Sequence, residues 1–159
     1  QLLQSYPTNG KFAKGEPGMT TIAWDGKTLA ADRQAHHGPS NTKYERKKLS
    51  VLDGKAIAGA GRASLNDAMT HWITYGGDLP DACKEGEYTV VVAKGENNCE
   101  VYEGVPIPLV IPAGAKLAWG SGAQAAMAAM ECGKNAEEAI QIASRVDLDT
   151  GMGFDSHTF

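Results

Sequence analysis

Asp-Gly occurs twice in this chain between apolar runs, at Asp25-Gly26 and at Asp53-Gly54. That dipeptide suits the two-residue turn of a β-hairpin, because it tolerates the left-handed backbone the turn demands. The first pair joins TTIAW to KTLAAD, and the second joins KKLSVL to KAIAGAG. Residues 20–61 therefore read as two hairpins with QAHHGPSNTKYE between them as a loop. A sheet built from hairpins is antiparallel.

After Gly61 the period changes. Leu65, Met69, Trp72 and Ile73 recur at helical spacing, which predicts a helix over 62–75 that Gly76-Gly77 stops. The β-branched run in EYTVVVAKG predicts a strand. NCEVYEG and AKLAWGSG follow as strands, and the prolines of VPIPLVIPAG restrict it to an edge or a loop. Two more helices are expected at 122–132 and 135–146, the second opened by Asn135 with Glu138 as its capping-box partner. GMGFDSHTF supplies a last strand. The order predicts an α+β fold: two mostly antiparallel sheets packed face to face with helices outside, one domain over residues 20–159. Residues 1–19 carry Gly and Pro but no apolar h-region, and are expected to be a leader, propeptide or added extension.

Composition narrows the function. A net charge of −4 supplies no basic field for nucleic acid. Cys83, Cys99 and Cys132 are scattered and odd in number, so neither a disulfide frame nor a zinc site is indicated, and a reducing, cytoplasmic setting is expected. No apolar run reaches the roughly 18 residues of a membrane span. No cofactor is called for.

Turn geometry gathers the chemistry. With a two-residue turn at Asp25-Gly26, Trp24 pairs with Lys27 and Thr20 with Ala31, which puts Asp32 beside Thr20. In the second hairpin Leu52 pairs with Lys55, so Lys47 falls opposite Ala60, beside the Gly59–Gly61 turn. Strand alternation places Lys47 on one face with Leu49 and Val51, where a lysine needs a carboxylate, and Asp32 is the candidate. Taken singly, each has an ordinary reading: strand residue, turn residue, solvated charge, packing glycine. Their meeting at neighbouring hairpin ends is what points to chemistry.

MTTIAWDGKTLAADRQ, YERKKL, GKAIAGAG, LAWGSGAQAAMAA and VDLDTG together resemble the proteasome β-subunit superfamily, and within it the bacterial HslV-type threonine peptidases. The resemblance runs from Thr20 to the C-terminus. It implies an N-terminal-nucleophile hydrolase with an αββα sandwich, thinned in one helical layer because only one helix fits between GAG and TVVVA. It implies Thr20 as nucleophile with its freed α-amine as base, Asp32 and Lys47 as acidic and basic partners, and Gly61 in the oxyanion loop. Ser121, Asp147 and Thr150 match the supporting residues. The resemblance further implies stacked homo-oligomeric rings, an unfolded-protein or peptide substrate, and an ATP-dependent unfolding partner.

The chemistry is coherent by itself. A free α-amine has a pKa near 7.7–8, a nearby ammonium lowers it, and its neutral form can take a hydroxyl proton. While residues 1–19 are attached, the Thr20 nitrogen is an amide and cannot. Two alternatives share the fold: an inactive assembly protein and a small-molecule amidase. Three other motifs are weak. AIAGAGRAS lacks the third glycine and the βαβ setting of a dinucleotide turn. His36-His37 has no ligand partner at metal spacing. GSGAQ is not a GxSxG elbow.

Overall fold

The computed structural model describes residues 20–40 and 42–159, so the expected leader lies outside the described residues. The chain forms strands β1 (Thr21–Trp24), β2 (Thr28–Asp32), β3 (Gln34–His37), β4 (Thr42–Glu45), β5 (Leu49–Leu52) and β6 (Lys55–Gly61). Helix α1 (Ala63–Tyr75) and a 3-10 turn at Asp81–Cys83 follow. Then come β7 (Tyr88–Gly95), β8 (Asn98–Glu103), β9 (Leu109–Ile111), β10 (Leu117–Gly120), α2 (Ala123–Glu131), α3 (Ala136–Val146) and β11 (Phe154–Thr158).

Two antiparallel sheets carry the fold, ordered β10-β1-β2-β11 and β5-β6-β7-β8-β9. Alternation along β1 explains how. Ile22 and Trp24 point between the sheets and pack with Leu29, Ala31, Leu49, Ala58 and Val91. Ala23 and Ala30 point the other way, under Ala126, Met130 and Ile140 of α2 and α3. Ile57, Val90 and Val92 of the second sheet meet Leu65 and Met69 of α1 on the far side. Both faces of each sheet are therefore covered, which is why all of β1 and β2 is buried. Each fully buried Ile or Leu at these positions is worth about 1.5–3 kcal/mol of transfer free energy. The result is the four-layer α+β, αββα sandwich, with α1 the sole α-helix on its face among the described residues.

Local signals set the helix ends. Asn135 accepts a hydrogen bond from the Glu138 amide at 2.8 Å, and the Glu138 side chain accepts from the Asn135 amide at 3.0 Å. The expected capping box is formed. Asp25 adds to it from the β1–β2 turn, where its Oδ2 accepts from the Ala136 amide at 2.8 Å.

Three expectations are corrected. The β1–β2 turn is longer than two residues: Trp24 pairs with Leu29 and Ile22 with Ala31. Asp25 stabilises the longer turn by accepting from the amides of Lys27 and Thr28 at 2.9 and 2.7 Å. Continuing that register puts Thr21, not Thr20, opposite Asp32. Second, QAHHGPSNTKYE is not a plain loop. It holds the separate β3–β4 hairpin, with Gln34 opposite Glu45 and His37 opposite Thr42. The third correction concerns Lys47 and belongs to the site.

Candidate active site

Asp32 ends β2 with its side chain fully buried, and a carboxylate there must be satisfied from all sides. Its Oδ1 accepts from the Thr21 amide at 3.0 Å and from the Lys48 ammonium at 2.9 Å. Its Oδ2 accepts from the amides of Gly151 at 3.0 Å and Gln34 at 3.3 Å. Lys48 also donates to the Gln34 carbonyl oxygen.

The lysine that meets Asp32 is thus Lys48, while Lys47 is exposed. The β5–β6 register is as expected, with Leu52 opposite Lys55. The error lies in carrying strand alternation past the strand. Regular β5 begins only at Leu49, and residues 46–48 are irregular. Leu49 still turns into the core between the sheets. The irregular segment before it lets Lys48 bury its stem, leaving its side chain 5% exposed. Burial lowers the Lys48 pKa, and Arg46 lowers it further, while the Asp32 charge and hydrogen bond pull it back up.

Thr20 lies just before β1 and is 5% exposed. Its carbonyl oxygen accepts from the Ser121 amide at 3.0 Å. Gly120 makes that approach feasible: its φ is +99°, and a Cβ there would fall on the Thr20 carbonyl oxygen. Thr20, Lys48 and Gly61 line one cleft of about 590 Å³, with the β3–β4 hairpin on one wall and the start of α1 on the other. Gly61 closes β6 at φ +96°, where a Cβ would lie 2.7 Å from the Glu87 carbonyl oxygen.

Ser121, Asp147 and Thr150 form a second cluster on the other side of β1. Asp147 Oδ2 accepts from both hydroxyls, Ser121 and Thr150, at 2.5 Å each. Thr150 Oγ1 lies 2.7 Å from Thr21 Oγ1, which itself accepts from the Gly122 amide at 3.0 Å. Because the Thr150 hydroxyl proton goes to Asp147, the Thr21 hydroxyl must be the donor between the two threonines. The chain of hydrogen bonds runs from the Gly122 amide through Thr21 and Thr150 to the Asp147 carboxylate.

Of the sequence-predicted residues, Thr20, Asp32 and Gly61 gather around the cleft or its lysine. Ser121, Asp147 and Thr150 gather behind it, joined to Thr20 through the Ser121 amide. Lys47 joins neither group. Sequence reasoning missed Lys48 and Thr21, each adjacent to a chosen residue, and Gln34, whose amide nitrogen donates to the Leu148 carbonyl at 2.8 Å. The double Lys and double Thr were the available signals. Among the described residues, no group of three or more His, Cys, Asp or Glu could hold a metal ion. No helix of the described residues is long and apolar enough to cross a membrane.

No protein-family profile matches the sequence, and no curated protein sequence matches it. Solved structures do resemble the fold. The eukaryotic HslV from Trypanosoma brucei is 22% identical, with a TM-score of 0.62, over 86% of this chain and 97% of that one. Thiobacillus denitrificans BPH, in complex with epoxomicin, is 14% identical with a TM-score of 0.67, over 88% and 97%. Anbu from Hyphomicrobium sp. strain MC1 is 12% identical with a TM-score of 0.66, over 88% and 81%. The fold is that of the proteasome-like N-terminal-nucleophile hydrolases.

Proposed function

We propose that the chain is a threonine-type peptidase whose nucleophile is Thr20, exposed by removal of residues 1–19, and that it works in homo-oligomeric rings. The observation that carries the reading is the burial of Thr20 at a cleft beside the Lys48–Asp32 pair. The epoxomicin complex of a protein of the same fold adds support. The substrate is a peptide or unfolded protein segment, and an ATP-dependent unfolding partner would deliver the latter.

In this mechanism the freed Thr20 amine, in its neutral form, takes the Thr20 hydroxyl proton, directly or through water. The Lys48 ammonium, held by Asp32, favours the neutral amine and stabilises the alkoxide as it forms. The oxygen attacks the peptide carbonyl. Backbone donors at the Gly61 turn receive the oxyanion, at a typical value of about 3–4 kcal/mol per donor. The amine returns the proton to the leaving nitrogen, and water hydrolyses the ester by the reverse sequence. The Ser121 amide fixes the Thr20 carbonyl, which holds the reacting residue in place.

Three proteins test the reading on a fluorogenic peptide: the extended chain, a form starting at Thr20, and that form with Thr20→Ala. Turnover is expected only in the second. Equal turnover in the second and third removes Thr20 as nucleophile. Assembled rings with an unfolding ATPase and no turnover in any would favour an inactive assembly protein.

A further inference from the structure

The wall of the cleft has a sign. Arg46, Lys48, Arg62, His36 and His37 line it, and among the described residues no Asp or Glu does, although the chain carries a net charge of −4. Lys48 is matched by Asp32 at 2.9 Å. Arg46 donates to Asp67 at 2.9 Å, but the Asp67 side chain is 72% exposed. Such a pair is worth roughly 0.2–1 kcal/mol and exchanges readily for a better one.

Helix α1 adds to the same field. It runs 13 residues from Ala63, and Ala63 and Ser64 line the cleft. Its N-cap is Arg62, no side chain caps it, and its first turn holds no acidic residue. The N-terminal amides and the positive end of the helix dipole face the cleft without an anionic partner in that turn.

A buried donor supplies an independent sign. The His36 side chain is 6% exposed. Its Nε2 lies 3.1 Å from the Gln34 amide nitrogen, which also donates to the Leu148 carbonyl. That nitrogen can only donate, so Nε2 accepts, and the neutral ring carries its proton on Nδ1. Among the described residues Nδ1 has no hydrogen-bond partner. Asp149 Oδ1 is 3.8 Å from Nε2, beyond a hydrogen bond. A buried donor without an acceptor costs about 1–3 kcal/mol, which an incoming acceptor would recover.

We propose that the cleft beside Thr20 takes a carboxylate side chain, so that the substrate is a peptide with Asp or Glu next to the scissile bond. The proposal rests on the peptidase reading for the bond cleaved, and on the cleft alone for the side chain bound. A volume of about 590 Å³ accommodates a glutamate together with its flanking peptide groups.

Binding and turnover are measured separately. Labelled pentapeptides that differ only in Glu, Gln or Leu at one position are titrated by fluorescence anisotropy into the Thr20-start form carrying Thr20→Ala. The Glu peptide is expected to bind at least about tenfold tighter than the Gln peptide at low salt, one tenfold step being 1.4 kcal/mol. That ratio should fall below about threefold in Arg46→Gln or Arg62→Gln, and in high salt. Equal binding of Glu and Gln, tightest binding of Leu, no binding of any peptide, or a full Glu preference surviving in both variants overturns the proposal. Displacement of the Glu peptide by an equal concentration of inorganic phosphate also overturns it, because the site would then be a general anion site. Turnover by the unsubstituted Thr20-start form separates the two readings. A Glu preference in binding without any turnover sinks the peptidase and leaves the carboxylate site standing. Turnover that favours Leu over Glu does the reverse.

Discussion

Thr21 Oγ1 and Thr150 Oγ1 lie 2.7 Å apart, although 129 positions separate them in the chain. Thr21 is fully buried, and it ties the strand that begins directly after Thr20 to the loop that carries Asp147. The double threonine thus divides the work by position. Thr20 borders the cleft, and Thr21 holds the far side of the same strand.

Thr21→Val tests that tie with a nearly isosteric change. It leaves the buried Gly122 amide without its acceptor and removes the donor to Thr150. The expected loss is about 1–3 kcal/mol in urea unfolding. Thr21→Ser should recover most of it. A valine variant as stable as the parent would show that the hydroxyl chain is without consequence.

Lys48 and Lys47 make a paired control. Lys48→Met strands the buried Asp32 carboxylate with backbone donors alone, and losing one partner of a buried pair costs about 3–5 kcal/mol. Turnover of the Thr20-start form should fall at least about a hundredfold. Lys47→Met, at an exposed side chain, should stay within about twofold in turnover and about 0.5 kcal/mol in stability. Equal effects of the two would remove Lys48 from its assigned role.

The Lys48 ammonium is disfavoured chiefly by burial, so its pKa lies below that of an ordinary lysine. As pH rises, Lys48 should lose its proton before the surface lysines, read from ¹³Cε shifts and absent in Lys48→Met. The sign for stability follows. Between the folded and unfolded pKa values the unfolded chain binds more protons, so this group's contribution grows more favourable as pH rises through that window. Relative to Lys48→Met, the stability difference should shift in the same direction over the same range. Titration together with the surface lysines would contradict it.

The thiols should react unequally. Cys83 and Cys99 are buried, which raises both pKa values, that of Cys99 to about 12. Cys132 is exposed at the end of α2. Only the thiolate reacts, so a thiol reagent at pH 8 should label Cys132 alone in the native protein and all three cysteines in denaturant. Native labelling of Cys99 would mean that the sheet-to-sheet core opens.

The sandwich was legible because its signals are local. Asp-Gly turns, β-branched runs, the Asn135–Glu138 box and the Gly stops each specify an element within a few residues. The predicted helices at 62–75, 122–132 and 135–146 differ from Ala63–Tyr75, Ala123–Glu131 and Ala136–Val146 by a residue at most at each end. The site was legible less fully, because it depends on turn length and strand ends. Asp25 uses its side chain to build a longer turn, which moves Asp32 from beside Thr20 to opposite Thr21. The irregular backbone at residues 46–48 exchanges the orientations expected for Lys47 and Lys48. No periodicity signals such a break, because the carboxylate that Lys48 meets lies on β2, 16 positions earlier in the chain. The β3–β4 hairpin escaped for a related reason: Gly38-Pro39-Ser40 reads as a plain loop, and only the pairing of Gln34 with Glu45 shows the ladder.

The donors around Asp32 come from residues 21, 34, 48 and 151. A ribosome delivers them in that order. Until Gly151 has emerged, β2 also lacks its neighbour β11, and the carboxylate at its end keeps water where an amide belongs. Thr20 therefore precedes by more than a hundred residues the segment that completes the shell around Asp32. Under the proposed mechanism, chemistry at Thr20 waits until Gly151 and β11 have joined the sheet around it.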